Sequence, residues 1–290
     1  MSLPGFRRWR RGQDPYASTG LLGREDELPA VMLPTGLHRV YTWRWVQRLA
    51  ARHFHLAYYY SAHRTLFNSH WLGTTTIKLP LDLWSYQEIL TEVRPGLVVE
   101  TGTFRGGTAR FVASVLDLLD TGRVMSIDIK PRDALPEHPR IEYVEGSSVA
   151  PEVVDRVRDA ATAAQGPVLA ILDSDHARDH VLAELRAYAD LVTPGSYMIV
   201  EDTDLNGHPV LPHWGPGPSE AIDAFLSERS DFAPDRERER FLVTMNPGGF
   251  LKRLAPRESR TAPRRTRAAE DAGARSGAAN GPGRDSPPRR

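Results

Sequence analysis

Short apolar runs rich in β-branched residues recur through the middle of the chain, and segments with helical periodicity separate them. The runs predict strands at 97–100, 123–127, 141–144, 168–172 and 197–200. The segments between and after them predict helices at 107–120, 150–164, 177–191 and 218–229. This alternation is typical of an α/β fold in which a mostly parallel sheet carries helices on both faces.

The end of this region has a different pattern. Two further runs, 240–245 and 249–253, are joined by the turn-forming sequence Asn246-Pro-Gly-Gly249. A parallel connection needs roughly a dozen residues or more. We therefore expect a C-terminal antiparallel hairpin at the edge of the sheet.

Four zones follow from these patterns: an irregular arm at 1–36, a helical N-terminal or lid region at 37–95, an α/β domain at 96–254, and a tail at 255–290. The tail is Arg, Ala, Gly, Pro and Ser with few large apolar residues, so we expect it to be disordered. In the helical region, apolar residues recur at helical spacing at Val40, Trp43, Val46, Leu49 and Ala50. We expect this stripe to pack in the core, with a lid or a subunit contact as the alternative.

Composition excludes several classes of function. The 290 residues have a formal net charge of zero, which gives no overall case for binding nucleic acid or an anionic membrane. There is no cysteine, hence no disulfide, thiolate zinc site or cysteine nucleophile. No apolar run is long enough to span a membrane, and no apolar segment follows the basic N-terminus as in a secretory signal. We expect a cytoplasmic protein with a small-molecule substrate, and a homo-oligomer stays open.

A glycine-rich loop follows the first predicted strand of the sheet. Gly102, Gly106 and Gly107 let the backbone turn tightly and approach a ligand. A pyrophosphate-binding loop has glycine where this chain has Thr103, and the carboxylate of Glu100 would repel phosphate. That carboxylate suits the ammonium group of S-adenosylmethionine. The alternative is a tight strand-to-helix turn with no ligand.

Further polar residues end the neighbouring strands. Asp128 stands where an acid hydrogen-bonds ribose hydroxyls in nucleotide-binding sheets. Ser147 and Ser148 follow the third strand, near where an adenine would lie, and we include Asp173 in the same donor site. Parallel strands end at one edge of a sheet, so these residues are expected to share a site.

Carboxylates cluster after two later strands, at Asp173 and at the pair Glu201–Asp202. Oxygen ligands without cysteine favour Mg²⁺ or another hard divalent cation. The alternative is that the acids cap helices, which we accept for Asp175. His176 follows closely enough to remove a proton from a hydroxyl that a cation has acidified. Asp179 and His180, one turn on, are expected at the surface.

Several motifs together resemble the cephalosporin hydroxylase / rhamnosyl O-methyltransferase family over about residues 70–253. They are Trp84-Ser-Tyr-Gln-Glu88, Glu100–Gly107, Leu172-Asp-Ser-Asp-His176, Gly195–Asp202, Gly215-Pro-Gly-Pro218 and Asn246–Gly249. The resemblance implies a Rossmann-like class I methyltransferase fold, S-adenosylmethionine as donor and Mg²⁺ as metal. Matched residue by residue, it implies Asp173, Glu201 and Asp202 as metal ligands and His176 as the base.

We therefore predict an S-adenosylmethionine-dependent O-methyltransferase that acts, with a divalent metal, on a hydroxyl of a sugar moiety or other small natural product, as in antibiotic biosynthesis. One alternative is an oxygenase, as the family's hydroxylase label implies. A non-haem iron site uses two histidines and one carboxylate, whereas three carboxylates cluster here. The other alternative is a non-catalytic S-adenosylmethionine-binding accessory protein.

Overall fold

A seven-stranded sheet runs through the part of the chain that the computed structural model describes, residues 36–130 and 134–255. Nine strands are present in these ranges: β1 His70–Trp71, β2 Thr74–Thr75, β3 Leu97–Thr101, β4 Arg123–Asp128, β5 Ile141–Glu145, β6 Val168–Leu172, β7 Tyr197–Val200, β8 Phe232–Pro234 and β9 Phe250–Arg253. The same ranges hold six α-helices: α1 Arg44–Tyr60, α2 Pro80–Val93, α3 Gly107–Leu119, α4 Pro151–Ala163, α5 Arg178–Tyr188 and α6 Pro218–Glu228. The predicted N-terminal arm and tail lie outside the described residues, apart from Gly36 and Ala255.

The strand order of the main sheet creates a point where the chain reverses direction across the sheet. The order is β5-β4-β3-β6-β7-β9-β8, with β3 to β7 parallel and β9 antiparallel to both β7 and β8. From β3 the chain moves outward to β5 and then returns to β6 on the other side of β3. Ligands of open α/β sheets bind beside the carboxyl ends of the strands at such a switch point.

Both faces of the sheet are covered, which explains the near-continuous apolar strands. Leu97 and Val99 of β3 pack in one cluster with residues of α4, α5 and α6. Val98, between them, packs in a second cluster with residues of α2 and α3. The predicted α/β arrangement is confirmed, and the five predicted parallel strands and four predicted helices agree with the observed ones to within three residues at each end.

The predicted C-terminal hairpin is only partly right. An antiparallel pair is present, but its first strand is β8 at Phe232–Pro234, and no strand forms at 240–245. At the end of the 240–245 segment, the backbone N–H and carbonyl of Met245 form hydrogen bonds with residues outside the sheet. The Met245 N–H donates to the Asp82 carboxylate at 2.9 Å, and the Met245 carbonyl accepts from Asp204 N–H at 3.2 Å.

The prediction that the N-terminal apolar stripe packs in the core is wrong. Helix α1 does form, but Trp43 before it is 52% exposed, Leu49 is 50% exposed, and His55 is its only buried residue. The helix contacts the rest of the chain through a small satellite cluster that includes Val243 and Met245. Among the helices of the described ranges, none is long and apolar enough to cross a membrane.

Candidate active site

The residues singled out from the sequence meet at the carboxyl edge of the sheet, around the switch point between β3 and β6. The glycine loop follows β3, the segment from Asp173 follows β6, and the pair Glu201–Asp202 follows β7. Backbone hydrogen bonds tie these strand ends together: Asp173 N–H donates to the Thr101 carbonyl at 3.0 Å. The loop and the acidic segments therefore form one continuous edge.

The glycines of the loop allow backbone to pack directly on backbone. Gly102 has φ of 86°, and a Cβ there would lie 1.9 Å from the carbonyl oxygen of Asp173. A Cβ on Gly107 would lie 2.3 Å from the carbonyl oxygen of Thr75 in the β1–β2 hairpin. The close approach that the glycines permit is thus to the protein's own chain, and it fixes the loop against Asp173. Gly106 is the N-cap of α3.

Glu100 lies beneath this loop, almost fully buried, and its carboxylate accepts a hydrogen bond from Ser126. The Thr103 hydroxyl lies 2.7 Å from the same serine hydroxyl. Burial raises the pKa of Glu100 to about 8, and the Ser126 hydrogen bond opposes that shift. A cation beside Glu100 would offset the cost of ionising it, so the arrangement suits an ammonium group.

Asp128 holds the outer side of the loop. Its Oδ2 accepts the Phe104 N–H at 2.9 Å and its Oδ1 accepts the Lys130 N–H at 3.0 Å. Ser147 lies half-buried in the turn after β5, and its carbonyl accepts the Ala150 N–H at 3.0 Å. The structure thus brings Asp128 into contact with the loop and leaves Ser147 on the neighbouring strand end.

Ser148 and His180 are in contact with each other. The Ser148 hydroxyl lies 3.2 Å from His180 Nε2, and that nitrogen is also 3.1 Å from the Ser174 hydroxyl. His180, expected at the surface, is half-buried: its side chain is 26% exposed, and α5 directs the ring toward these two serines. The nearby carboxylate of Glu184 raises the pKa of His180.

Three side chains form a group with the spacing of a metal site. One ligand atom from each of Asp173, His176 and Asp202 lies within 4.8 Å of the other two. His176 Nε2 is 3.1 Å from Asp202 Oδ2. Two carboxylates and one imidazole fit a divalent cation by chemistry and by distance.

Glu201 is not a member of this group and lies against a buried lysine. Lys78 Nζ lies 2.5 Å from Asp173 Oδ2 and 3.3 Å from Glu201 Oε1. The Tyr86 hydroxyl donates a hydrogen bond to Glu201. Burial alone would lower the pKa of Lys78, but the charges of Asp173, Glu201 and Asp202 raise it above its ordinary value. The ammonium therefore stays charged between two carboxylates that the sequence predicts as metal ligands.

Asp202 is held in a conformation that non-glycine residues rarely adopt. Its φ is 54°, and its N–H donates to Asn246 Oδ1 at 3.0 Å. Asn246 is fully buried and its amide also donates to the Tyr86 hydroxyl at 3.3 Å. Such backbone strain persists only where the surroundings fix it. Asn246 was predicted in a turn, with no role in the site.

Helix α1 adds a buried histidine–aspartate pair next to the site. His55 Nε2 lies 2.7 Å from Asp204 Oδ2, and burial raises the pKa of Asp204 to about 6. Burial, followed by the charges of Asp204 and Asp202, also raises the pKa of Tyr59 to about 12. The N-terminal helix thus forms one side of the edge that carries Asp202.

Comparison with known families decides the assignment of the family and the fold class. The family described as Rhamnosyl O-methyltransferase/CmcI matches residues 63–254, which include the glycine loop and both acidic segments. The chain belongs to this family. The family resemblance, the Rossmann-like fold class and the enzyme class of O-methyltransferase predicted from the sequence are thereby confirmed.

The matches to individual relatives span most of the length of those proteins. The chain is 43% identical over 188 residues to a rhamnosyl O-methyltransferase of Mycobacterium leprae, covering 63% of this chain and 82% of that protein. It is 40% identical over 189 residues to a rhamnosyl O-methyltransferase of Mycobacterium tuberculosis H37Rv, covering 63% and 77%. A solved structure of CmcI with Mg and SAM has a TM-score of 0.52 at 20% identity, covering 65% of this chain and 78% of that one, and it shares the fold.

Proposed function

We propose that this protein transfers a methyl group from S-adenosylmethionine to a sugar hydroxyl of a small molecule, with a divalent cation, Mg²⁺ first, in the site. The observation that carries the proposal is the group Asp173, His176 and Asp202 beside the loop that covers buried Glu100. The donor site and the proposed metal site share Asp173, so donor and acceptor would meet at one strand end.

The donor is proposed to bind along the loop after β3. Glu100 would hold the ammonium group, Asp128 would accept the ribose hydroxyls, and Ser147 and Ser148 would flank the adenine. Gly102, Thr103, Gly106 and Gly107 shape the loop, and Asp173 closes the inner end of the site. The positions of Glu100 and Asp128 on neighbouring parallel strands, β3 and β4, support this arrangement.

The cation is proposed to bind Asp173 and Asp202, with Glu201 the third ligand predicted from the family pattern. When bound, such an ion lowers the pKa of a hydroxyl that it contacts. Lys78 and Tyr86 both contact Oε1 of Glu201, so Glu201 would offer its other oxygen, Oε2, to the ion. Asp173 and Asp202 are the ligands that the geometry favours most.

His176 is proposed as the general base. Its Nε2 lies 3.1 Å from Asp202 Oδ2, and that carboxylate would stabilise the imidazolium formed when the ring takes the proton of the acceptor hydroxyl. The group that contains it has one histidine and two carboxylates, the reverse of a non-haem iron triad, so no observation favours the oxygenase alternative.

Other expectations remain predictions. A cytoplasmic location, a homo-oligomer, the absence of nucleic-acid and membrane partners, and the division of the chain at residues 36, 95 and 254 rest on the sequence alone. The acceptor proposed first is a rhamnose hydroxyl, because the family and the curated relatives carry that name.

The proposed function is tested by incubating the protein with S-adenosylmethionine, Mg²⁺ and a panel of rhamnosides and other glycosides. Mass spectrometry should find a product that carries one added methyl group, together with S-adenosylhomocysteine. S-adenosylmethionine bound tightly but never consumed with any glycoside would favour the accessory-protein alternative and contradict the proposal.

The role of the base has its own test. His176→Ala should lower the single-turnover rate by about 10²–10⁴-fold while donor affinity stays unchanged. His180→Ala is the matched control one turn along the chain, and it should change the rate much less. Equal, small losses in the two variants would remove His176 from the mechanism.

A further inference from the structure

A basic pocket lies along α1, outside the donor and metal sites. Its volume is about 650 Å³, and residues of α1 form part of its lining. The residues that line it from α1 and from the facing 244–247 segment include Arg44, Arg48, Arg52, His55, Thr244 and Pro247.

The three arginines of this pocket lie on one face of α1, since residues four apart in a helix are neighbours. Within the described residues, none of the three forms an ion pair or a side-chain hydrogen bond. Glu239 is the single acid among the lining residues, and it already accepts hydrogen bonds from Arg236 and from Gly248 N–H, each at 2.9 Å. Like charges at this spacing repel one another. The pocket therefore carries an uncompensated positive charge that an anion would relieve.

The pocket shares its wall with the active site. Thr244 and Pro247 flank the segment that contains Asn246, whose side chain accepts the backbone N–H of Asp202. On the other side, His55 pairs with Asp204, two residues after Asp202. One elongated acceptor could therefore place a hydroxyl at Asp202 and a second group among the arginines.

We propose that this pocket binds an anionic group of the acceptor, a phosphate or diphosphate, so that the acceptor is a sugar phosphate or nucleoside diphosphate sugar. The inference rests on the proposed function and deepens it. Guanidinium groups match phosphate oxygens in paired hydrogen bonds, and a set of three suits a multiply charged anion better than a single carboxylate. Helix α1 ends at Tyr60, before residue 63, where the family match begins, so the pocket's arginines lie outside the matched region.

The test compares two acceptors that share rhamnose: a nucleoside diphosphate rhamnose and the neutral p-nitrophenyl rhamnoside. Calorimetry without donor measures binding, and steady-state assays measure KM and kcat. The variant is Arg44→Gln/Arg48→Gln/Arg52→Gln. The matched control, Arg156→Gln/Arg158→Gln/Arg186→Gln, removes the same charge from α4 and α5.

The wild-type protein should bind the diphosphate sugar more tightly than the neutral rhamnoside. The α1 variant should raise Kd and KM for the diphosphate sugar by at least about tenfold, the effect of losing one charge-assisted hydrogen bond, and should leave the neutral rhamnoside unchanged. The control variant should behave as wild type. Inorganic pyrophosphate should compete with the diphosphate sugar.

Three results would overturn the inference. The first is equal affinity for both acceptors with no effect of the α1 variant. The second is that pyrophosphate binds in the pocket without displacing the diphosphate sugar, which would make the pocket a separate anion site. The third is an equal loss of affinity for the diphosphate sugar in the control variant, which would show a general effect of charge.

The inference and the proposed function can fail separately. If any of these results is found but methyl is still transferred to the neutral rhamnoside, the proposed function stands. Tight binding of the diphosphate sugar without transfer to any acceptor contradicts the proposed function alone.

Discussion

At the scale of single residues, Lys78 is the side chain whose role is least visible in the sequence. Its ammonium pairs with Asp173 and Glu201, whose side chains are 18% and 1% exposed. Removing one member of a buried charged cluster leaves the others unpaired, which typically costs about 3–5 kcal/mol. Lys78→Met should therefore lower the free energy of unfolding by about that amount in EDTA, measured by urea denaturation.

Lys252→Met is the matched control for Lys78. Lys252 pairs with Glu92 at 3.1 Å on the partly exposed strand β9, and a pair of this kind contributes less than about 1 kcal/mol. Similar losses in the two variants would show that the Lys78 cluster is not the stabilising contact that its burial indicates.

Glu100 gives the site a defined pH dependence. Because the folded-state pKa of Glu100 is about 8, against an ordinary value of 4.5, its contribution to stability falls as pH rises from about 4.5 through 8. A donor ammonium binds the ionised form, so donor affinity should rise between about pH 6 and 8 with release of a proton. Glu100→Gln should bind weakly with no such rise. Calorimetry in buffers of different ionisation enthalpy measures the proton, and pH-independent binding by the wild-type protein would contradict this account.

At the scale of elements, the strands were predictable and the contacts between distant segments were not. Parallel strands buried on both faces appear in sequence as continuous apolar runs, so β3 to β7 were found from local pattern alone. Strand β8 is three residues long and ends in Pro234, which leaves too little pattern to recognise. Lys78 and Asp173 lie 95 residues apart, so no local spacing could pair them.

The contacts of the segment after residue 240 were likewise not predictable from local sequence. The sequence pattern predicted a strand and a turn there. In the fold, the Asn246 side chain accepts a hydrogen bond from the N–H of Asp202, whose backbone is left-handed. Asn246→Ala should lower the affinity for Mn²⁺ by about 10–100-fold, the usual effect of removing a residue that orients a metal ligand. Titration followed by Mn²⁺ electron paramagnetic resonance measures this affinity.

The control for Asn246 is Asn206→Ala. Asn206 donates to Glu220 at 3.0 Å, away from the backbone of Asp202, and its loss should leave Mn²⁺ affinity within about twofold of wild type. If Asn246→Ala binds Mn²⁺ as tightly as the wild-type protein, the left-handed backbone of Asp202 does not depend on that amide.

At the scale of the whole molecule, strand order makes the site. The reversal between β3 and β6 brings the glycine loop against Asp173, and β7 adds Asp202 from the next strand. Sequence patterning located these segments on one sheet edge, because parallel strands end together. It did not predict that Glu201 would turn toward Lys78, since burial and charge pairing across the fold decide which carboxylates face the cleft.

The central claim is that a divalent cation held by Asp173 and Asp202 is needed for methyl transfer. The most direct measurement is the rate of transfer from S-adenosylmethionine to the best glycoside acceptor, first in excess EDTA and then with Mg²⁺ added back. The account predicts no turnover in EDTA and full recovery with Mg²⁺ for the wild-type protein, and little recovery for Asp173→Asn. An undiminished rate in excess EDTA would contradict it.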